Sequence, residues 1–226
     1  MTLAPHPTPY PDVNSLLTVL LSSVQTILGE HLIGAYLFGS LAAGDFDDAS
    51  DIDVLFVTDD ALSGELFAAL QTMHARIAAI DSPWATQLEV SYIPQRALRR
   101  FDPADNLHPR MNRGAGERLH MMRHDSDWVI LRHTMRERGI PLAGPAPQTL
   151  IDPVSQNDLR RAVLAILDVW ALPVLANPAT IHNRGYQSFY VLSLCRMLYT
   201  LEYGAVIAKP VAARWARGCC TAGRPF

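Results

Sequence analysis

The sequence predicts an α+β protein in two parts, a small mixed-sheet unit over residues 1–150 followed by an all-helical unit over 151–226. Three observations carry this prediction. Apolar runs of strand length lie at 32–38, 51–57 and 87–93, all in the first half of the chain. A stretch dense in proline and glycine, "GIPLAGPAPQTLIDPVS" at 139–155, interrupts the pattern. Beyond it the apolar residues recur at helical spacing, and no strand-like run follows.

Taken in order, residues 14–28 put Leu17, Leu20, Leu21, Val24 and Leu28 on one helical face, with Asn14 or Ser15 as N-cap and Gly29 just past the end. "LIGAYLF" at 32–38 reads as a buried strand that turns at Gly39 and Ser40. "DIDVLFV" at 51–57 is a second strand, and 64–80 a helix. "QLEVSYI" at 87–93 alternates, with Leu88, Val90 and Tyr92 on one face and Glu89, Ser91 and Ile93 on the other, as a third strand does. From 95 to 138 the periodicity is weaker and gives helices around 117–124 and 127–138. After the boundary, Ser155 and Asp158 form a capping-box pattern ahead of Leu159, Val163, Ile166, Leu167 and Trp170, and Pro173 is expected to stop that helix. A further helix spans about 185–203 and ends at Gly204, while the closing "RGCCTAGRPF" shows no helical pattern.

Composition narrows the class. A chain of 226 residues, 49% hydrophobic and 18% charged, suits a soluble globular protein with a sizeable core. The first helix is interrupted by Thr18, Ser22, Ser23, Gln25 and Thr26 and is too short for a membrane span. With no basic n-region before it and no cleavage site after it, a cytoplasmic protein without a membrane partner is expected. Cys195, Cys219 and Cys220 are odd in number and lack zinc-site spacing, so neither a disulfide framework nor a zinc knuckle is predicted. The net charge of -3 argues against nucleic acid as a partner. Arginines concentrate between Arg96 and Arg138, and most, "RALRR" at 96–100 among them, read as solvated helix faces. His120 and His124 sit at i, i+4 with no third ligand at useful spacing, so they read as exposed or arginine-adjacent. Trp84, Trp128, Trp170 and Trp215 read as core or interface residues.

The chemistry gathers in "FGSLAAGDFDDASDIDVLFV", 38–57. Asp51 and Asp53 lie two apart on a strand, so both side chains leave the same face while Ile52 and Val54 point into the core. Two carboxylates beside an apolar sheet call for a divalent cation or an arginine, and hard oxygen ligands without histidine favour Mg2+ over zinc. Glu89 joins them if its strand pairs beside 51–57. Three carboxylates around Mg2+ are the apparatus of phosphoryl or nucleotidyl transfer, with one acid free to take a proton. The turn at Gly39 and Ser40 leaves backbone N–H groups and a hydroxyl for phosphate oxygens, and Gly44 eases the chain past the same spot. A P-loop is excluded because no Gly-Lys-Ser/Thr follows Gly39, and an EF-hand because Ala49 and Ser50 stand where a ligand and the turn glycine are needed.

The same segment resembles the signature of the polymerase-β-type nucleotidyltransferase superfamily: Gly-Ser, a spaced glycine, then Ser-Asp-x-Asp on the next strand. Within it, "LEVSYI", "GIPLAGPAPQTLIDPVSQNDLRRAV" and "YVLSLCRMLYTLEYGAVIAKPVAARWA" resemble, in order, segments of the aminoglycoside adenylyltransferases that modify streptomycin and spectinomycin, over most of residues 30–216. The resemblance implies that Gly39, Ser40 and Ser50 bind the ATP phosphates, that Asp51 and Asp53 hold Mg2+ with Glu89 as the third carboxylate of the metal set, and that Glu89 is the catalytic base. It implies that Arg196 and Lys209, the latter the chain's only lysine, reach the triphosphate in a cleft between the domains. AMP would pass from ATP to a hydroxyl of a small molecule, and pyrophosphate would leave. The streptomycin-modifying members grip their drug with an acid and a tryptophan. Here "TIHNRGYQSFY" has no acid and 98–123 no tryptophan. The family continues with further helices beyond the position of Trp215, so the helical domain is expected to be shortened. Two other readings keep the same centre: a protein or RNA acceptor, as in antitoxin-like members, and a non-catalytic nucleotide-binding remnant.

Overall fold

The computed structural model describes residues 7–47, 50–181 and 184–221. The chain divides into two compact units, one of Met1–His124 with Thr134–Pro153 and one of Asp125–His133 with Val154–Phe226. The boundary therefore falls three residues beyond the expected 150/151, and residues 125–133 group with the second unit.

In the first unit, α1 (Pro11–Leu28) starts earlier than its apolar spacing indicates. Pro11 occupies the first turn, where its missing N–H is no loss, and Asn14 bonds back to Thr8 instead of capping. Gly29 ends α1 at φ 54, its N–H donating to the Gln25 carbonyl. β1 (Leu32–Leu37) runs into the short α2 (Gly39–Ala43), followed by β2 (Ile52–Thr58), α3 (Gly64–Ala78) and β3 (Leu88–Pro94). Leu17, Leu20, Leu21 and Val24 of α1 and Leu70, Met73 and Ile77 of α3 join Ile52, Val54, Phe56, Val90 and Tyr92 of the sheet in one apolar core.

The sheet has six strands in the order β5-β4-β3-β2-β1-β6. β2 and β3 are parallel; the remaining neighbours are antiparallel. Three of these strands differ from expectation. β4 (Leu107–Met111) and β5 (His120–Arg123) follow the short α4 (Gln95–Arg99), so the helix expected at 117–124 is a strand. Its backbone pairs with β4 from Arg110↔His120 to Leu107↔Arg123, and that ladder overrides a weak local pattern. After α5 (Asp127–Arg138), the proline-rich boundary contains β6 (Ile140–Ala143), which pairs with β1, and α6 (Pro147–Leu150).

The second unit is helical among its described residues. α7 (Gln156–Ile166) opens on the expected capping box of Ser155 and Asp158. Pro173 does not stop the path: a π-helical turn, Leu167–Ala171, leads into α8 (Leu172–Ala176), where the proline occupies the first turn. Trp170 stacks on Tyr190, centroids 4.1 Å apart. α9 (Arg184–Tyr203) ends at Gly204, φ 62, and α10 (Lys209–Thr221) follows. Helix thus covers 217–221 of the closing string, Cys219 and Cys220 included, because α10 is anchored by buried Ala212 and Ala216. The rest of that string lies outside the described residues.

Candidate active site

The parallel register of β2 and β3 sets Asp53 directly opposite Glu89. Both strands are buried at every position except these two, which are half-buried. Asp51 stands one residue ahead of β2, where the Ile52 N–H donates to the Gln87 carbonyl (2.9 Å) and ties the strand end to the approach to β3. The result is a group of three acids, Asp51, Asp53 and Glu89, whose ligand oxygens lie within 4.8 Å of one another. It is the only such metal-competent group among the described residues. An all-carboxylate set is a hard-oxygen site and fits Mg2+.

β1 delivers the turn to the same place. Its end is tied to β2 by the Phe38 N–H, which donates to the Asp53 carbonyl (3.2 Å). Gly39 follows at φ 66, and a Cβ there would stand 1.8 Å from Asp53 Oδ2, so only glycine leaves room for the carboxylate. The next residue, Ser40, has a buried hydroxyl without a hydrogen-bond partner among the described residues, as has Asp45 Oδ1. An orphaned buried hydroxyl next to the Gly39 turn is costly unless something fills the space. Ser50 is differently placed: its hydroxyl donates to Asp47 Oδ1 (2.8 Å) and accepts from the Asp47 N–H (3.0 Å).

Glu89 is the electrostatically distinctive acid. Burial pushes its carboxyl above the usual range, the Arg110 guanidinium pulls the other way, and the Asp51 charge raises it again. Arg110, on β4, is the residue that sequence reasoning missed. It donates to Glu89 Oε2, to Ser91 Oγ (3.2 Å) and to Asn112 Oδ1 (3.1 Å). Its place became visible only with the β3–β4 register, in which it faces Ser91. The arginines of 96–100 do behave as surface cations: Arg96 pairs with Asp60 and Asp105, and Arg99 and Arg100 with Asp152. His120 and His124 share no helix. His120 is exposed on β5, while His124 is buried and stacked on His108, centroids 5.6 Å apart.

The two cations expected at the triphosphate belong to the second unit. Arg196 is half-buried on α9, and Lys209 begins α10 with its Nζ 4.3 Å from the Phe189 ring centroid. A groove of about 680 Å³ lined by α1 and α3, Val19, Ile27, Met73 and Ile80 among its residues, contains no acid, so concavity alone would misplace the site.

Two family models match the chain: a nucleotidyltransferase domain over residues 18–102 and the C-terminal domain of aminoglycoside adenylyltransferase over 149–220. The chain is 29% identical over 208 residues to a spectinomycin 9-adenylyltransferase of Staphylococcus aureus, covering 87% of this chain and 75% of that protein. It is 27% identical over 215 residues to an aminoglycoside (3'') (9) adenylyltransferase of Shigella flexneri, covering 91% and 78%. Among solved structures, the spectinomycin adenyltransferase AAD(9) from Enterococcus faecialis, determined with ATP and spectinomycin, superimposes with a TM-score of 0.68 at 19% identity. That match covers 88% of this chain and 80% of the other and shows a shared fold.

Proposed function

From the premise that the chain is a nucleotidyltransferase carrying the aminoglycoside adenylyltransferase C-terminal domain, we propose that it transfers AMP from ATP to a hydroxyl of an aminoglycoside. The observation that carries this reading is the β2–β3 register, which puts Glu89 beside the paired Asp51 and Asp53. Asp51 and Asp53 hold Mg2+. When bound, that ion neutralises phosphate charge and polarises the α-phosphoryl group.

The remaining work is done by the chain. The Ser40 hydroxyl and the N–H groups of its turn take phosphate oxygens, which gives the orphaned hydroxyl a partner. Gly39 and Ser50 shape the same loop, Ser50 through its bonds to Asp47. Arg196 and Lys209 supply positive charge for the triphosphate. Glu89 accepts the proton of the acceptor hydroxyl as its oxygen forms a bond to the α-phosphorus. The bond from that phosphorus to the bridging oxygen breaks, and pyrophosphate carries the electron pair away.

The two relatives that carry spectinomycin in their names or titles make it the first acceptor to try, with streptomycin beside it. With ATP labelled at the α-phosphate and Mg2+, label is expected on the drug. Asp53→Asn and Glu89→Gln should each lower turnover by about 10²–10⁴-fold with the melting temperature nearly unchanged. Full turnover in either variant defeats the mechanism, and label on neither drug defeats the acceptor assignment.

A further inference from the structure

Phe46 lies between α2 and β2, in the stretch that joins the Ser40 turn to Asp51, and its ring is packed from two sides. It meets the Tyr10 ring with centroids 4.9 Å apart and the Trp84 ring with centroids 5.0 Å apart, both pairs tilted, which is favourable aromatic geometry. The Tyr10 hydroxyl also donates to the Phe46 carbonyl (3.4 Å), so backbone and ring are held by the same neighbour. Phe46 and Trp84 are half-buried and pack against the core of the first unit.

Both sides of this contact lead to the site. The residue before Phe46, Asp45, donates its N–H to the Ser40 carbonyl (3.2 Å), so Phe46 hangs directly from the turn. The Trp84 carbonyl accepts from the Gln87 N–H (3.0 Å), and the Gln87 carbonyl accepts from the N–H of Ile52 (2.9 Å), the neighbour of Asp51. The two aspartates differ in how they are fixed. Asp53 sits within the β2–β3 ladder, whereas Asp51 stands ahead of β2 and depends on what flanks it.

We propose that Phe46 is a positioning residue: held by Tyr10 and Trp84, its ring braces the Ser40 turn against the entry to β2 and so fixes Asp51 for the cation. This rests on the nucleotidyl-transfer reading above. Mg2+ demands near-ideal ligand geometry, and a ligand whose backbone must be ordered at the moment of binding gives up affinity to conformational entropy. A ring packed between two segments distant in sequence has met that cost during folding.

The test is Mn2+ affinity, read by electron paramagnetic resonance of the free ion, on the full chain without substrate. Phe46→Ala is expected to weaken Mn2+ by about three- to ten-fold, while Phe46→Tyr, which keeps the ring, stays within about two-fold of wild type. Phe67→Ala is the control for general loosening. Phe67 is also half-buried against the same core, but it lines a small cavity with Thr58, about 16 Å along β2 from Asp53. It too should stay within about two-fold. If F46A does not fold, Phe46→Leu, which keeps apolar bulk without the ring, takes its place under the same criteria. Wild-type affinity in F46A overturns the proposal. So does an equal weakening in F67A, which would be loss of packing anywhere in the core, or in F46Y, which would remove the ring from the account. A wild-type chain that binds no Mn2+ overturns the nucleotidyl-transfer reading itself, so the two failures are distinct.

Discussion

β2 and β3 bury every residue but one each, and the exceptions are Asp53 and Glu89. The path through α7, the π turn and α8 buries Leu159, Ala162, Val163 and Ala171 but leaves Leu164, Val169, Leu172 and Leu175 54%, 75%, 55% and 70% exposed. Both stretches are rich in aliphatic side chains, so apolar content does not say where a residue matters. What distinguishes them is the surroundings. An acid hemmed in by buried neighbours must find a cation or a proton, whereas a solvated leucine asks nothing of its environment.

The contrast is sharpest at Phe56, fully buried and stacked on Tyr92 at 5.1 Å. Phe56→Ala should cost about 3–5 kcal/mol in urea unfolding; a loss below 1 kcal/mol would mean that the sheet repacks and the comparison overstates its rigidity. Acid probes the same core next. His74 is buried, its Nε2 2.8 Å from the Tyr92 hydroxyl, and burial pushes its pKa from 6.5 down to about 4. The unfolded chain therefore takes up this proton first, and the His74 contribution to stability is lost as pH drops from about 6.5 to 4. That contribution is about 3 kcal/mol. His124, pushed down to about 3 by burial and by its His108 and Arg110 neighbours, adds in the same direction. His74→Gln should flatten the curve, and an unchanged curve would discard this cause.

Gly39→Ala should cost about 1–3 kcal/mol and lower turnover, because the methyl needs the space of Asp53 Oδ2. Gly44, also at positive φ but with nothing within 4 Å of a Cβ, is the control that carries the backbone strain without the clash. Equal effects at both would reduce Gly39 to a conformational requirement. The smallest effect is expected in the second unit, where Val169→Ser should change stability by less than about 0.5 kcal/mol. A larger loss would show that the exposed face is covered in solution.

Legibility follows the same divide. β1, β2 and β3 could be read because they are inner strands of a sheet, where long apolar runs and the two-residue alternation have one meaning. β4 and β6 carry Pro109 and Pro141, which ordinarily argue against strands. They are tolerated here because β4 meets β3 only from Arg110 onward, and β6 is an edge strand. β5, "HMMR", is exposed throughout and has no buried face for its sequence to declare. The acids and the Gly39 turn were therefore legible, since local spacing places them. Arg110 was not, because its role arises from the register of a strand that looks like a loop.

The parallel pairing of β2 with β3 also sets an order of events as the chain folds. β1 and β2 can zip as neighbours, but Asp53 meets Glu89 only after α3 has been laid across the sheet and its long crossover closed, and Arg110 arrives later still. The cluster is thus a non-local feature that exists only when the sheet is nearly complete. A divalent cation held by it grips the finished state and has nothing to bind in the nascent one. Added Mn2+ is therefore expected to slow unfolding while leaving the rate of folding almost untouched.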